Sequence, residues 1–168
     1  MPNSPGLNQR LRSLADQYTA FAQAMLGDNL TSVILFGSVA RGQAGPGSDI
    51  DLLVICRELP RSAFRRREML EPIRERLQAE LDHLWAQGYY TDFAEVIQTE
   101  SETQKTHPLY LDMTEEAMIL FDRHGFFAAV LARVRERLRE LGAQRRQLGR
   151  LHYWDLKPDL KRGEAVVL

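Results

Sequence analysis

At 168 residues, with 22 basic against 23 acidic side chains and a net charge of −1, the chain is long enough to bury a core and carries no bulk attraction for nucleic acid or an anionic membrane. Its one cysteine, Cys56, excludes an internal disulfide, and no apolar run is long enough to span a bilayer. The polar, breaker-rich start Met1-Pro2-Asn3-Ser4-Pro5-Gly6 predicts no secretory signal, so a reducing cytoplasm is the expected location.

Leu7 to Leu26 reads as an amphipathic helix, with Leu7, Leu11, Leu14, Tyr18, Phe21 and Met25 at steps of three and four and Gly27 placed to stop it. Val33 to Phe36 is an apolar run suited to a buried strand. It breaks at Gly37-Ser38 and passes through a loop holding Gly42, Gly45, Pro46 and Gly47. A second apolar run, Ile50 to Ile55, follows with Asp49 and Asp51 at its mouth, and strand alternation points those two carboxylates the same way. Two like charges side by side gain nothing for folding, whereas a hard divalent cation such as magnesium resolves their conflict. Gly37 lets a ligand approach the backbone, and Ser38, at an expected helix start, offers N–H groups and a hydroxyl to an anion. Phosphate clamp and metal clamp together suit a magnesium–nucleoside triphosphate.

From Arg57 to Gln87 a helical stripe of Phe64, Leu70, Ile73, Leu77, Leu81 and Leu84 predicts a long helix, which Pro72 should kink or restart. Arg61, Arg65, Arg66, Arg67, Arg74 and Arg76 crowd its polar side among Glu68, Glu71 and Glu75; a solvated face laced with ion pairs is favoured over an RNA- or partner-binding patch. Tyr89 to Thr99 predicts a third strand in which Phe93, Glu95 and Ile97 share a face. Pro108 to Met113 reads as a short helical or extended piece, Ala117 to Phe121 as a fourth strand, Asp122 to Gly125 as a turn, and Phe126 to Leu141 as a helix. Val166-Val167-Leu168 is a candidate edge strand. His83, His107, His124 and His152 lack metal-ligand spacing, and Cys56 reads as a small core hydrophobe.

Gly37-Ser38, the following Ala40-Arg41-Gly42, and Ser48-Asp49-Ile50-Asp51 closing the loop resemble the signature of the DNA polymerase β-like nucleotidyltransferase superfamily, and most closely its stand-alone minimal members. The resemblance implies an α/β fold, a small mixed twisted sheet with helices mainly on one face, here as one domain over 1–168 with a core at about 28–122. It implies transfer of a nucleoside monophosphate to a hydroxyl with release of pyrophosphate. Asp49 and Asp51 would be the catalytic metal ligands for Mg2+, and Gly37, Ser38, Arg41 and Ser48 the nucleotide-binding residues. Arg41 is left between reaching a phosphate and bracing the acids. Members of the superfamily usually carry a third carboxylate on a later strand; Glu95 fits that role better than Asp92, provided its face is that of the aspartates.

Minimal members are often paired with a helical HEPN-type protein whose tyrosine they AMPylate, as antitoxins. AMP transfer from ATP to such a partner is therefore the expected activity. A non-catalytic nucleotide-binding module that occludes a partner is the alternative, with feeble catalysis expected if Glu95 faces away. RNA or a small molecule is a less favoured acceptor, and the oligomeric state is left open.

Overall fold

The computed structural model describes residues 5–149, 151–161 and 164–166. In chain order the elements are α1 (Pro5–Leu26), β1 (Leu30–Phe36), α2 (Gly37–Ala40), β2 (Ile50–Cys56), α3 (Ala63–Ala86), β3 (Phe93–Thr99), α4 (Glu100–Thr103), α5 (Leu109–Glu116), β4 (Met118–Asp122), α6 (Phe126–Glu140), β5 (Gln144–Leu148) and β6 (Leu151–Asp155). Four strands form a mixed sheet in the order β3-β2-β1-β4. β1 runs antiparallel to β2 and β4, and β3 runs parallel to β2. A parallel pair needs a crossover, and α3 supplies it.

Alternation on the two central strands sorts their side chains into two layers. Val33, Leu35, Leu52 and Val54 pack with Leu11, Tyr18, Leu70, Ile73 and Leu77, so the two longest helices, α1 and α3, cover that face. Ile34, Leu53 and Ile55 pack on the other face with Tyr110, Phe127, Val130 and Leu131 of the shorter α5 and α6. Burial of both faces explains why β1 and β2 read as unbroken apolar runs.

Helix α3 runs through Pro72 as one continuous element, so no second helix starts there. Pro72 lies on the exposed side, where the carbonyl it leaves without an N–H donor can turn to water. Phe64, read as part of the apolar stripe, is 74% exposed. After β4 the turn closes on two left-handed residues, His124 (φ 54°) and Gly125 (φ 67°).

The β5–β6 hairpin was not expected, since Gln-Arg-Arg-Gln-Leu has no apolar alternation. It is held by charge and hydrogen bonding: Arg145 pairs with Glu116, Arg146 Nε stands 3.0 Å from Asp155 Oδ2, and Trp154 Nε1 donates to Asp112 Oδ1 at 3.1 Å. The strand expected at Val166–Leu168 lies outside the described residues except for Val166, which is in no strand. Among the described residues no helix is long and apolar enough to cross a membrane.

β3 is an edge strand, and two arginines of α3 cover its outer side. Arg66 Nη1 donates to the Ile97 carbonyl (3.1 Å) and Arg74 Nη1 to the Phe93 carbonyl (3.1 Å). Arg66 also forks onto Glu102 through two 2.8 Å bonds, which holds that carboxyl down at about 2. Glu102 in turn closes a capping box with Thr99 at the start of α4.

Candidate active site

The site forms where β1 and β2 meet at one end of the sheet. β1 ends at Phe36, and the chain turns at once into the short helix α2 through Gly37, whose φ is +70°. That backbone region is open to glycine and strained for other residues. Phe36 pairs with Asp51 across the sheet, which brings Gly37 against the Asp51 carboxylate. A Cβ added to Gly37 would overlap Asp51 Oδ2 and stand 2.9 Å from Asp51 Cγ. The glycine is therefore required both by its own dihedral and by the acid beside it.

Asp51 is half-buried and Asp49, just before the strand, is exposed. Burial first, then the charge of Asp49, pushes the Asp51 carboxyl above the ordinary carboxylate range, while Arg41 opposes the shift. Two oxygen-donor acids whose mutual repulsion is felt, with only an arginine in partial compensation, fit a hard divalent cation. Asp49 and Asp51 would hold it, beside the Gly37-Ser38 turn. Asp49 Oδ1 also accepts the backbone N–H of Asp92 at 3.1 Å.

The Asp51 shift carries a stability consequence. The folded state holds this proton more tightly than the unfolded chain does, so stability falls as pH rises from the ordinary carboxylate range through the shifted value. Asp51→Asn removes that cost. Its melting temperature without divalent cations should equal or exceed the parent's at neutral pH, with the difference vanishing in acid, as thermal melts across pH would read out.

Arg41 Nη1 donates to Glu116 Oε2 at 3.0 Å and its Nε to Gln43 Oε1 at 3.2 Å. It thus braces the site from α5 while acting on Asp51 through charge. A cavity of about 230 Å3 opens beside Gly37, bounded by Phe36, Arg41, Asp112, Met113 and Glu116. Ser38 occupies the second position of α2. Ser48 accepts the Gly45 N–H on its hydroxyl (2.9 Å) and donates its own N–H to the Gly45 carbonyl (3.1 Å), so it shapes the loop that delivers Asp49.

Glu95 corrects an expectation. In the parallel register Leu52 stands beside Glu95 and Asp51 beside Ala94. Glu95 therefore lies on the α1–α3 face, opposite to Asp51, and the structure does not bring it to the acid pair. Its side chain is 3% exposed and spent on Arg74 Nη1 (2.9 Å) and the Tyr18 hydroxyl (3.1 Å). Burial pushes its carboxyl up despite Arg74, and raises the Tyr18 hydroxyl too. The neighbour of Asp51 on β3, Ala94, offers no ligand, and among the described residues no group of three or more His, Cys, Asp or Glu is placed to hold a metal.

Two contributors to this region escaped the sequence reading. On sequence Asp92 ranks below Glu95, yet its place at the entrance to β3 mirrors that of Asp49 before β2. Arg74 looked like one more arginine on a solvated helix face; nothing in the local pattern distinguishes it.

The family model described as nucleotidyltransferase domain matches residues 20–121, more than half of the chain. A Methanocaldococcus jannaschii protein, named provisionally as a protein adenylyltransferase, is 30% identical over 125 residues, covering 74% of this chain and 81% of that protein. Among solved structures, a chain of a toxin–antitoxin crystallised with AMP-PNP superposes with a TM-score of 0.48 at 17% identity, over 76% of this chain and 92% of its own. A Sulfolobus solfataricus protein, described provisionally as a nucleotidyltransferase, gives 0.46 at 21% identity, over 72% and 90%.

Proposed function

The chain belongs to the nucleotidyltransferase domain family and is a nucleotidyltransferase; from that premise we propose that it transfers AMP from ATP, with Mg2+, to a hydroxyl of a partner protein, as the antitoxin of a HEPN-type pair. One observation carries the nucleotide reading: the Asp51 carboxylate sits so close to Gly37 that no side chain fits between them. Phosphate turn and acid pair thus address the same ligand. The named protein adenylyltransferase, of which this chain covers 81%, supports a protein acceptor over RNA or a small molecule. The helical HEPN partner and the antitoxin role follow from the resemblance of the Gly-Ser and Asp-x-Asp stretch to the minimal members.

In the proposed reaction the acceptor hydroxyl gives up its proton to solvent and its oxygen bonds to the α-phosphorus as the bond to the α–β bridge oxygen breaks, releasing pyrophosphate. A divalent cation held by Asp49 and Asp51 would neutralise the charge that develops on the transferred phosphoryl group. Gly37 and Ser38 bind the terminal phosphates and so align the leaving group. Arg41, anchored by Glu116 and lining the same cavity as Gly37, would offer those phosphates a fixed charge.

Incubating the protein with each labelled triphosphate, Mg2+ and cell lysate tests the proposal. The expected result is label from ATP on a helical protein whose mass rises in steps of AMP. Label accumulating on RNA instead would overturn the acceptor assignment.

The position of Glu95 favours a second reading, that of a nucleotide-binding module that occludes its partner, since the acid set is reduced to two. That reading predicts nucleotide and partner binding with no transfer of label.

A further inference from the structure

Asp49 accepts a hydrogen bond from a distant segment, from the Asp92 N–H at 3.1 Å, and the Asp92 carbonyl accepts one from the Ile50 N–H at 2.8 Å. The two strand entrances are thereby stitched together at the acid pair. Asp92 in turn is gripped by Arg74 of α3. Arg74 Nη2 donates to both Asp92 oxygens (2.9 and 2.8 Å), while Nη1 reaches the Phe93 carbonyl (3.1 Å) and Glu95 Oε2 (2.9 Å). A planar guanidinium has fixed donor directions, so three of these four bonds, the ones to Asp92 and Phe93, leave that segment little freedom. Glu95 is anchored from behind by the Tyr18 hydroxyl, and the Tyr18 ring lies 5.0 Å from that of Phe93.

We propose that Arg74 is a positioning residue for the acid pair: by fixing Asp92 it aims the Asp49 carboxylate at the cation-bound nucleotide. The inference rests on the nucleotidyltransferase reading of Asp49 and Asp51. It gives Glu95 a role compatible with the face it occupies. Glu95 touches no ligand; it is the buried anion that orients the Arg74 fork. Partners that orient metal-ligating side chains commonly change metal affinity ten- to a hundredfold when removed.

Arg74→Ala alone would strand Glu95 as an uncompensated buried charge and endanger the fold. Two other variants avoid this. Arg74→Met with Glu95→Gln removes the pair together, and Asp92→Ala releases the grip while leaving Arg74 on Glu95. The readout is Mn2+ affinity by electron paramagnetic resonance in the presence of α,β-methylene-ATP, whose α–β bridge is not cleaved, alongside circular dichroism melts.

Both variants should remain folded and bind Mn2+ roughly tenfold or more weakly than the parent. Arg74→Lys, which restores the charge but not the fork, should melt close to the parent yet still bind Mn2+ weakly. Should the double variant not fold, Asp92→Ala decides alone. Mn2+ binding within twofold of the parent in Asp92→Ala overturns the positioning role and leaves the nucleotide reading standing. A parent that binds no Mn2+ with the analogue overturns both.

Discussion

Replacing Asp51 with Asn should abolish nucleotide transfer and spare the fold. The amide keeps the shape of the carboxylate and leaves the Phe36–Asp51 strand pairing untouched. In the proposed reaction it removes one of the two charges offered to the cation, where the α-phosphate and the leaving pyrophosphate would gather negative charge. Loss of one such stabilising group costs on the order of 10³ in rate, or about 4 kcal/mol of transition-state stabilisation. Asp49→Asn should fall in the same range. The measurement is incorporation of α-labelled AMP into the acceptor at saturating Mg2+, with a melt of each variant run in parallel. An Asp51→Asn protein that labels its acceptor at the parental rate removes the acid pair from the chemistry.

Gly37→Ala is expected to be nearly as damaging, by a different route. At φ +70° a Cβ is strained wherever it points, and here it points into Asp51. Turning the Asp51 carboxylate out of the way moves it off the phosphate turn and still leaves Asp51 Cβ at 3.3 Å from the added atom, a few tenths of an ångström too tight. The left-handed backbone costs about 1–2 kcal/mol, which for a chain of this length lowers the melting temperature by roughly 2–8 °C. Displacing the acid from the phosphate turn should cost a further 10²-fold or so in rate, the usual penalty for misplacing a reacting group by about an ångström. A double-mutant cycle with Asp51→Gly separates the two effects. Without the Asp51 side chain the steric part of the stability loss should vanish and the dihedral part persist. If Gly37→Ala melts and labels like the parent, the close packing of turn and acid is not a requirement of the site.

Much of the fold was legible because the sequence obeys simple periodicities. The stripe of Leu7, Leu11, Leu14 and Tyr18 gave α1. The two apolar runs flanking Gly37 to Asp51 gave the central hairpin, and Phe127, Val130, Val134 and Leu138 gave α6. Local pattern also joined Gly37 to Asp51, since both lie at the mouths of adjacent strands. Glu95 marks where it stopped. Alternation placed Phe93, Glu95 and Ile97 on one face correctly, but which face depends on the register of β3 against β2, and a slip of one residue reverses it. That register is set by the α3 crossover and by the Asp92–Asp49 stitch, both contacts between distant parts of the chain. The β5–β6 hairpin was hidden for a related reason. Its stability comes from Arg145 and Trp154 reaching acids on α5, which no window on its own strands contains.

The guanidinium groups laid along the outer side of β3 limit how this molecule can grow. A sheet is ordinarily open to a foreign strand at its rim, yet here two rim carbonyls, of Phe93 and Ile97, already hold arginine donors. An incoming chain zipping onto that border would have to evict both arginines and expose the carboxylates they neutralise. Fibrous stacking or strand exchange through β3 is disfavoured by the same side chains that hold Glu102 and Asp92.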